Sequence, residues 1–254
     1  MRTNSTRDLL RLLTPFALAS AVAFVPACDD GTDSSTDDVT DVKNSSVKNQ
    51  AIGNCWVYAT AGWAESLHLT HTGEELNISE SFITYVHWLE QLAGGPGGEP
   101  AVATLSGSEL STGGWFGVAV ELIRRYGVLS EGAFIPEEAE AARSSRQSSA
   151  LSAINASLKS GVLSDTAKRR DRAAVRAELD RAWGLTPEVS AILDEAFGPD
   201  MSRTFSAGTA KVAAGSPVLR AEDVAVGPNI TLKDAIREPA PRANGKQGRG
   251  THAW

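Results

Sequence analysis

Only a few residues in this chain have the type and spacing to break or make a covalent bond, and they lie in Val47-Lys48-Asn49-Gln50-Ala51-Ile52-Gly53-Asn54-Cys55-Trp56. Cys55 opens an amphipathic pattern, so its thiol falls in the first turn of a helix. Backbone N–H groups without partners and the positive end of the helix dipole meet there, and both favour a thiolate. A free thiol of pKa about 8.5 is only slightly ionised at pH 7, and a helix N-terminus with an imidazolium partner lowers such a value to ~3–4. Gln50 stands just upstream, where its amide can donate to a developing oxyanion. One donor of that kind is typically worth ~2.7–4 kcal/mol in the transition state. Taken alone, Cys55 reads rather as a small buried hydrophobe, and Gln50 as a plain loop residue.

The elements that must position this pair are mostly helical. Trp56, Ala59, Trp63 and Leu67 recur at helical spacing, which predicts a helix over 55–69 with a stop at Thr72-Gly73. A second helix is predicted over 79–92, with Ser79 as N-cap and Phe82, Val86 and Leu89 on one face. Gly94-Gly95-Pro96-Gly97-Gly98 is expected to be loop. Gly113-Gly114 precede a third helix through Tyr126, ended by Gly127. Residues 136–198 promise two or three amphipathic helices, one starting at Thr186-Pro187-Glu188. The alternating charges from Arg169 to Arg181 read as solvated helix surface. Strand-like pieces follow at 218–219, 224–226 and 230–232, and 239–250 reads as a polar loop.

In its order of elements the chain resembles the papain-like cysteine peptidases, whose local signature is C-G-[SA]-C-[WY]. Ile52-Gly53-Asn54-Cys55-Trp56 stands in that place, and Val47-Lys48-Asn49-Gln50 resembles the segment carrying the family's oxyanion glutamine. Ser79-Glu80-Ser81 is similar to the L-S-E-Q or F-S-Q-S element, and Thr112-Gly113-Gly114 to the N/D-G-G turn. Tyr126-Gly127-Val128 to Phe134 and Pro136 is similar to the segment that follows. The match runs from Lys48 to about Phe134. It implies an α+β papain-like fold, here mainly the helical half, with residues 136–198 as a helical insertion like that of the bleomycin-hydrolase branch. It implies Cys55 as nucleophile, Gln50 as oxyanion donor, and Gly113 and Gly114 as the backbone that holds a peptide or protein substrate. No cofactor and no metal are expected. Ile52 replaces the family's upstream disulfide cysteine, and the Gln50-to-Cys55 spacing is one residue shorter than usual.

The family's catalytic histidine and orienting asparagine belong to a β-rich half that is expected to be absent or incomplete in 199–254. His68 and His71 read as surface residues at the far end of the Cys55 helix. His87 reads as packing inside a helix beside Trp88. Thr251-His252-Ala253 is similar to the family's small-residue–His–Ala motif but lies at the end of the sequence, so either His252 is the base or, as expected, the chain is a fragment whose true histidine and asparagine lie beyond Trp254.

The remaining expectations concern address and partners. Arg2, Arg7 and Arg11 precede an apolar run over 12–27, shorter than the about 20 residues of a membrane span, and this is the pattern of a secretory signal. Val25-Pro26-Ala27-Cys28 resembles a lipobox, with Cys28 as the lipidated residue; ordinary cleavage after Ala27 is the alternative. Acidic, polar residues 29–46 form a tether. An exported, periplasmic, cell-envelope or extracellular protein follows, touching a membrane only through a lipid anchor. The 24 Lys+Arg against 31 Asp+Glu give −7, which excludes a nucleic-acid partner of the usual basic kind. Three functions stay open: a peptidase, a silent surface lipoprotein that keeps the groove for binding peptides, and a thiol transamidase.

Overall fold

The computed structural model describes residues 42–105, 107–139 and 144–237. The expected signal and lipobox with Cys28, most of the expected acidic tether, and His252 lie outside the described residues.

The described chain is helix-rich α+β. Helix α1 (Cys55–Thr72) ends at Gly73, whose left-handed φ of 77° lets its N–H close on Leu69 O. Helix α2 (Glu80–Ala93) begins at Ser79, whose side chain accepts from Phe82 N. Helix α3 (Phe116–Tyr126) starts two residues after Gly114. Strand β1 (Val128–Leu129) and the short helix α4 (Glu131–Phe134) follow. Helices α5 (Arg146–Ser160), α6 (Thr166–Arg170), α7 (Arg172–Trp183) and α8 (Pro187–Phe197) fill the stretch for which two or three were expected. Thr186 caps α8 through Val189 N, as its sequence predicts.

The sheets are small. Strand β2 (Val218–Leu219) pairs antiparallel with β1, Val128 opposite Leu219. Strands β3 (Ala225–Gly227) and β4 (Ile230–Thr231) form a second antiparallel pair. Thr231 then opens helix α9 (Leu232–Ala235) with a capping box, so Leu232 is helical rather than strand. The glycine-rich segment after α2 also departs from plain loop, because Pro96–Gly98 closes one 3₁₀ turn.

Helix α2 lies at the centre. Every residue from Glu80 to Leu92 is buried, not only the face of Phe82, Val86 and Leu89. Phe82 and Tyr85 meet Phe134 edge-on, and Trp183 of α7 packs against Tyr85, Trp88 and Phe134. Phe197 of α8 reaches Phe82 and Tyr126. Such pairs add about 0.5–1.5 kcal/mol each beyond their burial.

Two expectations need correction. The charged stretch 169–181 is not all solvated surface. Arg176 has 3 % of its side chain exposed and pairs with Asp180 at 2.7 Å and with Asp194 of α8. Arg172 donates to the carbonyls of Gly94, Asp200 and Met201, tying α7 to two loops. The end of the acidic tether is also docked, because Lys43 N donates to Thr70 Oγ1 and Ser45 Oγ to Glu65. Among the described residues, no helix is long and apolar enough to cross a membrane.

Candidate active site at the start of the first helix

Cys55 is the first residue of α1, and its thiol is free and exposed. No side chain caps this helix. The Cys55 and Trp56 N–H groups accordingly have no acceptor among the described residues. The helix therefore presents open donors beside the sulfur, which is the electrostatic setting a thiolate requires.

The approach to Cys55 is anchored from below. Lys48 points inward and donates to Glu65 at 2.9 Å, to Glu80 at 3.1 Å and to the Ile78 carbonyl, with Glu131 at 3.5 Å. Burial works against the Lys48 ammonium, but Glu80, Glu65 and Glu131 outweigh it and hold its pKa above the ordinary lysine value. Burial likewise drives the Glu80 carboxyl far above the usual range, against the pull of Lys48, while its hydrogen bond to Glu131 favours the protonated form. The proton on Glu80 reduces the excess of carboxylates around one ammonium. Two residues further on, Gln50 is exposed, and its amide makes no hydrogen bond to another described residue. Ile52, where the family has a cysteine, packs against the core instead.

The Gly113-Gly114 segment is brought to this same end of α1. Trp56 Nε1 donates to Thr112 O at 2.9 Å. A Cβ on Gly114 would stand 2.5 Å from the Trp56 indole, and one on Gly53 would stand 2.8 Å from Thr112 Oγ1. Both glycines leave room for a side chain of the facing segment, the Trp56 indole against Gly114 and the Thr112 hydroxyl against Gly53. The segment is also held by side chains from two other helices. Gln91 of α2 donates to Ser111 O and accepts from Ser111 N, both at 2.8 Å, and Asn155 of α5 accepts from Leu110 N at 2.9 Å. Gly113 and Gly114 themselves are exposed, and their backbone N–H and C=O groups have no partner among the described residues. Backbone with open hydrogen-bonding groups is thus fixed at the Cys55 end of α1, and such groups can pair with another chain.

The polar residues of α2 that do this work escape a sequence reading based on apolar faces. Glu80, Thr84, His87 and Gln91 follow one another at four-, three- and four-residue steps, one stripe of a helix. The stripe faces Lys48, Asn54, Trp56 and Ser111 in turn. Polar residues recurring at helical spacing inside an apolar helix were the available signal.

None of the described histidines serves Cys55. His68 Nδ1 is 2.8 Å from Ala225 O, where it joins α1 to β3, so it is not a plain surface residue. His71 is exposed at the opposite end of the helix. His87 is 1 % exposed and meets Trp56 edge-on, ring centroids 4.9 Å apart. Burial pushes its pKa down to about 4, so it is neutral at physiological pH. Among the described residues there is no group of three or more His, Cys, Asp and Glu able to hold a metal ion.

No family model matches the chain, and neither a curated protein nor a solved structure does. The class of the site therefore rests on its own geometry and on the motifs.

Proposed function

We propose that the chain is an exported cysteine-type peptidase of papain-like fold, hydrolysing peptide bonds through a thiolate at Cys55. The observation that carries this reading is that the Trp56 indole holds the Gly113-Gly114 segment at the end of α1 that also carries the exposed thiol of Cys55. A substrate chain lies along Gly113 and Gly114 by strand-like hydrogen bonds. The thiolate attacks the carbonyl carbon, and a C–S bond forms as the carbonyl oxygen takes up the charge. The Cys55 N–H and the Gln50 amide hold that oxygen. The C–N bond then breaks, and the amine leaves with a proton from the acid partner. Water attacks the thioester, returning the thiolate and releasing the carboxylic acid. The proton carrier is none of His68, His71 and His87, and His252 is the remaining histidine of this sequence. Cys28 provides the lipid anchor in this reading, and the partners are peptide or protein substrates.

A second reading is a peptide-binding surface lipoprotein without catalysis. It is favoured by the one observation that no described histidine touches Cys55. Labelling with a peptidyl epoxide, which alkylates an activated thiol, separates the two. The peptidase takes the label, Cys55→Ala abolishes it, and turnover of a peptide substrate follows a bell-shaped pH profile. Labelling that survives in Cys55→Ala overturns the assignment of the nucleophile. Saturable peptide binding without labelling or turnover selects the binding module.

A further inference from the structure

Asn54 is the residue immediately before the nucleophile helix, at the position where an asparagine ordinarily accepts a hydrogen bond from the first turn. That bond is worth roughly 1 kcal/mol. Ser79, Asp165, Asp171 and Thr186 all make it, each with extended backbone. Asn54 does not. Its φ and ψ are −113° and 34°, and its side chain turns inward. Nδ2 donates to Thr84 Oγ1 at 2.9 Å and to Gln147 Oε1 at 3.0 Å. The residue is 1 % exposed, and its Oδ1 is buried without a partner among the described residues.

A buried carbonyl oxygen is thus left unsatisfied next to open N–H groups that it could have capped. Something must hold it there, because leaving a polar atom unpaired is unfavourable. Gln147 on α5 is built for this. Its Nε2 is engaged by Tyr58 OH and Ser81 Oγ, both at 3.1 Å, which aims its oxygen at Asn54. Ser144 Oγ, itself bonded to Glu138, sits behind its backbone N–H.

We propose that Gln147 is a positioning residue for the reaction at Cys55. By holding the Asn54 amide inward it keeps the first turn of α1 uncapped, so that the Cys55 and Trp56 N–H groups stay free for the thiolate and for the substrate oxyanion. This gives the inserted helix α5 a role in the chemistry without any contact with substrate. The inference rests on Cys55 being the nucleophile.

The test is the rate of carboxamidomethylation of Cys55 by iodoacetamide against pH, read on the Cys55 peptide by mass spectrometry in the full chain. In Gln147→Ala the Asn54 oxygen becomes free to cap. The rate at pH 7 falls about two- to fivefold, the scale of losing helix-terminus donors. Asn54→Ala has no side chain to cap with and is no slower than the native chain. Gln147→Ala added to Asn54→Ala then changes nothing further, a non-additivity that general loosening of the fold does not produce. An unchanged profile in Gln147→Ala overturns the proposal, as does a double variant as slow as Gln147→Ala. If circular dichroism shows Gln147→Ala unfolded, Thr84→Val, which removes the other acceptor at constant shape, is read by the same two criteria. Alkylation needs no substrate, so a chain that labels as proposed here yet never cleaves a peptide fails the peptidase reading alone.

Discussion

Replacing His87 by Gln should remove a pH-dependent part of the stability that can be sized from the structure. His87 is 1 % exposed, packed on the Trp56 ring, with the Gln91 amide 3.4 Å from its ring nitrogens. That amide is already committed to Ser111 O. Nothing near the imidazole rewards a positive charge, and burial lowers its pKa from 6.5 to about 4. Between those values the unfolded chain binds a proton that the native chain refuses. The contribution of neutral His87 is therefore fully present above about pH 6.5 and is lost as pH falls towards 4. A difference of about 2.5 units at 1.36 kcal/mol each makes this roughly 3 kcal/mol.

Glu80 works in the opposite sense. Its folded pKa is raised, so its contribution is present at low pH and declines as pH rises above the value of an unfolded glutamate. The slope for the native chain alone therefore mixes the two. The difference between the native chain and His87→Gln isolates the imidazole. Urea unfolding followed by tryptophan fluorescence, from pH 7 to pH 4, should show the native chain losing about 3 kcal/mol relative to the variant. Curves that run parallel across that range would refute the claim that burial holds this imidazole neutral.

Lys48→Met should cost about 3–5 kcal/mol at pH 7, because Glu65 and Glu131 are left buried around no cation. Urea midpoints of the native chain and the variant at pH 7 check it. Gly114→Ala places a methyl into the Trp56 indole and should lower stability by about 1–3 kcal/mol in a thermal melt. The same variant should slow peptidyl-epoxide labelling while leaving iodoacetamide alkylation of Cys55 unchanged, since the thiol stays and only the ledge beside it moves.

The parts of the fold legible in the sequence are those written locally. Ser79 and Thr186 cap the helices they were expected to cap, and Gly73 and Gly127 end theirs. The pairing of Val128-Leu129 with Val218-Leu219 was not legible as a pair, because its two halves are ninety residues apart and each is only two residues long. Arg176 looked solvated because charges alternate along 169–181, and Asp194, which pairs with it, comes from the next helix. Of the site, Cys55 and the two glycines stood out because a nucleophile and a close backbone approach restrict residue type. Asn54, Thr84, Gln91, Gln147 and Asn155 did not, because an amide or hydroxyl in a helix is unremarkable until its remote partner is known.

The strip at 110–114 is fastened by Trp56, Gln91 and Asn155, which come from three different helices. Its position depends on all three being docked, whereas that of the sulfur at position 55 depends on its own helix. A change that loosens any one of these helices therefore shifts the backbone ledge while leaving the sulfur where it is.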